Sequence, residues 1–547
     1  MTAPTIPDWA HAETRQMDQL YLDDERTYRA PSAKVRFWSK FMDEEGVESN
    51  YLTLQHNEPV NKVGALAMTL PSDTQFYDLL FNNPDGEDVM IPITSDTPGQ
   101  RWSGKVDRCA LVQDENGLKT IEVSAMHDWQ HVATTCLWAS PWAPLYAQLP
   151  RHDVRIGPIK SICEGYLGSA IARQQMGIQQ PYTNAPDDWA DFGPAMWPIV
   201  VVPTNIFLDD SPWGGSSARF DMADKKIQEL LKGSGYVLQV RMFLPEEDEQ
   251  PAPEWFFLTR PTIVMKIVDK SNVTGPTGTI LDGFARWFED FSDDGTTAIR
   301  YPGLDAGVDY EQAYQTSASG TKRLYPWIWY FEGEYTGISQ SELAIHKPMA
   351  QFIYVGGRSP SYINAAIEIA IKNALSYIGL LIGVPGLDAL YRGQLDDVFL
   401  AFDVGADLGR IQRSGPFAWK DHFVTGSEKA FTIDGQMAKR QGIYDTRGYT
   451  SHKVSVEDFA PYVYGRDMEV GDAIGFRLEN QIFVDYITDA VYTDNRTDPS
   501  FWTFDVGSGA DEEDPVVKSW SRLGQIAQAV SVASKDVGMD ADFFGLF

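Results

Sequence analysis

Between Lys34 and Ala125 the chain is cut into short apolar runs by turn-forming residues, and this spacing constrains the fold more than any other feature. In Lys34-Val-Arg-Phe-Trp-Ser-Lys-Phe, the residues Val35, Phe37 and Phe41 share one parity and so one face of a strand. Runs at Tyr51 to Leu54, Gly64 to Leu70, Val89 to Ile93, Trp102 to Val112 and Lys119 to Ala125 follow in quick succession. Asp85-Gly86 and Asp114-Glu-Asn-Gly supply residues that tolerate positive φ, the chemistry of a tight hairpin turn. This pattern predicts a small antiparallel barrel or sandwich.

From Asp153 the apolar period becomes helical. Ile159, Ile162, Tyr166 and Ala170 fall near one face, with Pro158 at the helix start. A second helix is expected from Asp221, as its cap, to Lys232, with Gly233 as the stop. Strand-like runs at Tyr236 to Leu244 and Thr262 to Val268 flank the acidic loop Pro245-Glu-Glu-Asp-Glu-Gln-Pro, and together these predict a small α+β domain. Beyond it lie an aromatic cluster, Tyr325-Pro-Trp-Ile-Trp-Tyr-Phe, and a strand ending at Gly356-Gly357. A helix is then expected from about Ser361 to Gly379. Strands at Asp397 to Asp403, Ala430 to Ile433, Ser451 to Val456 and Gln481 to Ile487 predict a second β-domain. The expected class is β-rich α+β. Its divisions are an arm (1–33), a first β-domain (34–150), an α+β domain (151–270), an aromatic region with helix and apolar loop (271–395), a second β-domain (396–505) and an acidic tail with a helix (506–547).

The chain's 547 residues carry 77 acidic against 45 basic side chains, a net charge of −32. Sequence-independent phosphate binding needs the opposite balance, because its affinity comes from counterions released by Lys and Arg. The acidic excess therefore means solubility, a surface that nucleic acid slides past, or both. Three cysteines with no Cys-x-x-Cys suggest neither a disulfide framework nor a zinc site, and fit assembly in a reducing cytoplasm. The N-terminus shows no basic stretch followed by an apolar run, so no signal peptide is expected. The uncharged run from Asn373 to Leu387 falls short of the roughly 20 residues needed to span a bilayer.

Candidate chemistry is sparse, and no cofactor or catalytic residue is expected. His127 and His131 would share a helix face, but a metal site needs a third ligand and His-Glu-x-x-His is absent. Adjacent carboxylates at Asp209-Asp210, Asp293-Asp294 and Asp396-Asp397 point in different directions and are expected in so acidic a chain. Neither a nucleophile elbow nor a phosphate loop occurs. The apolar residues Tyr377, Ile378, Leu380, Leu381, Ile382, Val384 and Leu387 mark either a helix end buried at an interface or a displayed loop that enters lipid.

One ordered set of motifs does point to a family. The set comprises Gly356-Gly357-Arg-Ser-Pro, Val384-Pro385-Gly386-Leu-Asp-Ala-Leu, Gly393-Gln-Leu-Asp396-Asp397-Val, Thr446-Arg447-Gly448 and Tyr464-Gly465-Arg466-Asp467. In that order they resemble the tail-hub, or minor tail, proteins of siphophages infecting actinobacteria. Trp102-Ser-Gly and Ile121 to Trp129 extend the likeness to the first β-domain. The resemblance implies a non-enzymatic homotrimer with two tail-tube-like β-domains. Such a hub closes the tail tube below the distal tail protein ring and contacts the tape-measure protein and the central fibre. Genomic DNA would pass through it unbound, at the virion tail tip, with transient host-membrane contact open. Two competing classes are a receptor-binding tip protein that reads cell-wall glycan through the aromatic cluster, and a wall hydrolase.

Overall fold

A computed structural model describes residues 32–84, 86–87, 89–175, 195, 197–283, 286, 322–323, 326–331, 338–356, 368–369, 372, 402–406, 408–424, 433–457, 462–478, 481–495, 500–507 and 515–536. The chain divides into two compact units. One takes in residues 1–286, 299–342 and 453–507, and the other residues 287–298, 343–452 and 508–547.

In the first unit the strands are β1 (Lys34–Trp38), β2 (Glu44–Glu48), β3 (Thr53–Pro59), β4 (Ala65–Pro71), β5 (Pro92–Thr97), β6 (Gln100–Gln113) and β7 (Lys119–His127), with α1 (Tyr77–Phe81) crossing between β4 and β5. After β7 come α2 (Gln130–Ala133) and a two-residue strand, Cys136–Leu137, which pairs with Asp221–Met222. Next come β8 (Asp153–Pro158), α3 (Ile159–Gln175), β9 (Ile199–Val201), β10 (Trp213–Ala218), α4 (Ala223–Leu231), β11 (Tyr236–Phe243) and β12 (Thr262–Asp269). The unit closes with β13 (Trp329–Phe331), β14 (Ala473–Leu478), β15 (Gln481–Asn495) and β16 (Phe501–Val506).

Strands from the two ends of the sequence share one sheet, in which residues 454–457 pair with β16 and the order then runs β16-β15-β3-β4-β7-β6-β5-β1-β2. The path ends at β2, which has one neighbour among the described residues, so the sheet is open and does not close into a barrel. The β-rich character expected from sequence is present, and the closure is the part corrected. β15 is the junction. Its first half pairs with β14, from Ala473 opposite Tyr486 to Leu478 opposite Gln481. Its second half lies between β16 and β3, with Tyr492 opposite both Trp502 and His56. One strand thus ties sequence positions more than 400 residues apart, a pairing that no local pattern encodes.

Local deviations have local causes. β1 is buried on both faces, Arg36 included, and ends at Trp38, so Phe41 sits exposed in the following turn instead of sharing its face. Gly86 lies between α1 and β5 and does not close a hairpin, while Asp85 is outside the described residues. The β6–β7 turn takes positive φ only at Gly117, because Asp114 Oδ1 accepts from the backbone N–H of Asn116 and Leu118 and holds the turn itself. Helix α4 starts after Met222, and its expected cap, Asp221, instead accepts from the N–H of Arg219. Gly233, at φ 58°, stops it as expected. Ile433, expected to end a strand, opens a helix running to Asp445, where Gln436, Met437, Ala438, Lys439, Arg440 and Gln441 are all good helix formers.

Helices α3 and α4 cover the three-stranded sheet β9-β12-β11. Ile159, Ile162, Tyr166 and Ala170 are buried there as the helical spacing predicts, joined by Cys163, Leu167 and Ile171. The aromatic cluster is split between core and surface. Ile328 and Tyr330 are buried, and Tyr330 packs against Tyr462 and Phe504, while Trp327 projects. Gly475 on β14 lies beneath the Trp329 ring, where a Cβ would come within 2.4 Å of Cε3.

The second unit holds a three-stranded sheet in which Phe352–Gly356 lies between Phe402–Ala406 and Asp421–Phe423. The Ile433–Asp445 helix packs on it through Gly442, where a Cβ would meet Ile353 Cγ2 at 2.7 Å. No helix among the described residues is long and apolar enough to cross a membrane.

Candidate functional site

The residues that join distant segments of the first unit converge on three clusters, and the family-like motif at Tyr464 to Asp467 belongs to the first. Gly465 has φ 85° and meets Gly99, φ 83°, back to back. A Cβ on Gly465 would lie 2.9 Å from the Gly99 carbonyl carbon, and one on Gly99 would lie 2.8 Å from that of Gly465. Both positions need glycine for conformation and for space. Tyr464 is buried, packs tilted against Trp502 with ring centroids 4.4 Å apart, and accepts from the Val470 N–H. Asp467 accepts from the Val463 N–H and is paired with Arg466. The motif is therefore a turn lock.

In the second cluster Glu469 accepts from Gln239 Nε2 at 2.9 Å and pairs with Arg241 on β11, while Lys270 pairs with Asp472 at 2.6 Å. Burial alone would raise the Glu469 carboxyl, but Arg241 and Lys270 hold it below the usual carboxylate range. In the third cluster the buried Arg36 reaches Asp96 on β5 at 2.5 Å and Glu247 at 2.6 Å. Arg101 on β6 joins the same two acids and also Asp248. The acidic loop after β11 is thus anchored to two arginines, so some of the chain's acidic side chains serve internal pairing, which leaves its net charge unchanged. Arg36 and Arg101 carry no motif, and only a folded sheet brings them to that loop.

Behind these clusters sits a buried aromatic and histidine core. His56 lies 3.2 Å from Ser95 Oγ and packs against Trp102, Tyr492 and Trp502. His127 and His131 do not share a helix face. The first ends β7 and accepts from the Trp129 N–H, while the second sits on α2 with Nε2 2.5 Å from Lys105 Nζ. Among the described residues no group of three or more His, Cys, Asp or Glu side chains is placed to hold a metal ion.

Burial keeps all three imidazoles neutral. It lowers His56 to about 3, lowers His127, and, together with Lys105, lowers His131 to about 4. Below pH 6.5 the unfolded chain takes up protons that the folded chain refuses, so this contribution to stability is complete above pH 6.5 and is lost as pH falls. Glu164, pushed up to about 7 by burial, acts in the opposite direction between pH 4.5 and 7. A comparison with a variant separates the two. For His131 the linkage amounts to about 2 kcal/mol between pH 8 and pH 5. His131→Gln is expected to lose at least 1 kcal/mol less than the parent over that range in urea unfolding. Equal losses would show that His131 is not held neutral.

Gly356, at φ 119°, ends its strand opposite Phe402 in the second unit. In the same unit the Arg447 guanidinium lies 3.4 Å over the Tyr444 ring, and Gly448 passes close to Pro348. Thr446, their neighbour, accepts from the buried Arg410, a residue the sequence did not single out. Gly357, Pro385, Gly386, Asp396, Asp397 and the apolar run Tyr377, Ile378, Leu380, Leu381, Ile382, Val384 and Leu387 lie outside the described residues.

The first unit is thus an open β-rich sheet braced by ion pairs and by the turn lock at Tyr464 to Asp467. The chain belongs to the Siphovirus ReqiPepy6 Gp37-like protein family, whose model matches residues 34–508. It is 24% identical over 499 residues to minor tail protein Gp28 of Mycobacterium phage D29, covering 79% of this chain and 83% of that one. It is 26% identical over 473 residues to minor tail protein Gp28 of Mycobacterium phage L5, covering 74% and 78%. Among solved structures, the 43 kDa tail protein of prophage MuSo2 from Shewanella oneidensis aligns over 88% of this chain and 99% of its own, with TM-score 0.39 and 9% identity. The resemblance carried by the motifs to siphophage proteins of actinobacterial hosts is thereby established.

Proposed function

We propose that the chain is a minor tail protein that serves as the hub of a siphophage tail tip. Three copies form a ring that closes the tail tube below the distal tail ring. The match across residues 34–508, at similar length to two mycobacteriophage minor tail proteins, carries this reading. The hub meets the tape-measure protein above and the central fibre below, and it is assembled in the host cytoplasm without enzymatic activity. Pairing of β15 with β3 suits such a role, because it makes the two ends of the chain one mechanical body.

The ring's lumen forms part of the DNA exit path. With a net charge of −32, its wall is expected to carry more Asp and Glu than Lys and Arg, so that DNA does not stall on it. A particle reconstruction checks this directly, and a wall lined mainly by Arg and Lys would remove the conduit role. The apolar run from Tyr377 to Leu387 is covered in the resting assembly, at the axis or beneath a partner, since its seven large apolar side chains would otherwise make a sticky surface. Replacing Leu381 and Ile382 with Asp is expected to block particle assembly. Assembly with lowered DNA delivery would instead assign the run to membrane contact.

A further inference from the structure

We propose that the exposed loop at residues 140–150 inserts its aromatic side chains into an apolar pocket on a second copy of this chain, forming the head-to-tail contact of a closed ring. The proposal deepens the trimeric hub reading and rests on it.

The loop is built to project. Gln148 Oε1 accepts from the Ser140 N–H at 2.9 Å, and its Nε2 donates to the carbonyls of Ala143 and Pro144, each at 3.1 Å. A side chain thus fixes the loop's backbone while Trp142, Leu145, Tyr146 and Leu149 stand 60–92% exposed. Four large apolar groups on a backbone fixed in this way form a contact whose backbone ordering cost is met before a partner arrives.

The pocket lies elsewhere in the same unit. It is about 180 Å³ in volume and is lined by Ile171, Trp197, Val200, Pro203, Trp255 and Phe256 among others, none of them charged. An apolar cavity of roughly 150 Å³ accepts a benzene ring, so a Tyr or Trp ring fits here. The loop cannot reach it within one chain by a simple fold-back. Its root, Trp138, stacks under Arg173 at 4.0 Å, whereas the pocket is walled by Gly168 and Ile171. At about 100° per residue, those two stand roughly 140–160° around α3 from Arg173, on the opposite flank. A knob on one flank and a hole on the other define a heterologous contact, the kind that closes into a ring.

Knob and pocket belong to the same chain, which makes a second copy the occupant we assign. Two chains of −32 each repel, so a contact between copies is favoured at uncharged surface. The chain from Val132 to Pro150 has no charged residue, and neither has the pocket lining.

A photocrosslinking phenylalanine analogue placed at Tyr146, in particles whose only copy of the chain is the variant, tests the contact. The expected product is a covalent pair of chains joined between position 146 and a peptide containing Trp197 or Trp255. Gly168→Phe is the companion variant, since a Cβ at Gly168 meets nothing within 4 Å and the ring would fill the pocket without strain. It should lower the crosslink at least tenfold. A crosslink to another tail protein, within one chain, or insensitive to Gly168→Phe would overturn the knob-and-pocket contact and leave the hub reading intact. Particles that form and infect without the chain would end the hub reading itself.

Discussion

Gly465→Ala is expected to destabilise the protein by about 3 kcal/mol or more. The effect has two parts. Alanine at φ 85° carries a conformational strain of about 1–2 kcal/mol. Its Cβ would also come within 2.9 Å of the Gly99 carbonyl carbon, and because that neighbour is backbone, one of the two turns must shift. Overpacking of this kind typically adds about 1–3 kcal/mol. Gly117→Ala is the matched control. Its φ is 83°, but the nearest heavy atom to its Cβ is the far end of Gln113 at 3.8 Å, so only the strain applies. The control should lose about 1–2 kcal/mol in urea unfolding. Equal losses at the two sites would mean that Gly99 and Gly465 do not touch.

The second large effect is at Arg36. Arg36→Met is expected to cost about 3 kcal/mol, since removing one partner of a buried ion pair leaves the other charge uncompensated. Arg101 still reaches Asp96 and Glu247, which keeps the loss at the low end of the range for such sites. The Glu247 side chain is 42% exposed, so Glu247→Gln should cost under about 1 kcal/mol. Arg36→Met combined with Asp96→Leu should fall well short of the sum of the single losses, because the second change removes the stranded charge. Simple additivity in that cycle would show that Arg36 and Asp96 do not form a pair.

Both predictions concern contacts that no local pattern could reveal. The strand runs and the α3 and α4 helices were readable because parity and helical period act over a few residues. Tyr464-Gly465-Arg466-Asp467 was readable as a motif, yet its partner Gly99 sits in an ordinary Pro98-Gly99 turn that does not say which distant segment it meets. The acidic loop after β11 was readable as a loop but its partners were not, because Arg36 and Arg101 reach it only once the sheet has formed. Hairpin-like spacing left a barrel or a sandwich open, and the barrel is the alternative that falls, because β15 takes up β3 from the far end of the chain and the path runs out at β2. The uncharged stretch from Val132 to Pro150 was visible in the sequence, and only its fixed exposure separates it from an ordinary buried run.

Reconstruction of the tail tip of an intact particle, with this chain traced in the density, tests the central claim most directly. The account predicts three copies around the tail axis, joined in a ring immediately below the distal tail ring, with the lumen open along the DNA path. Six copies, or a single copy set off the axis, would contradict it.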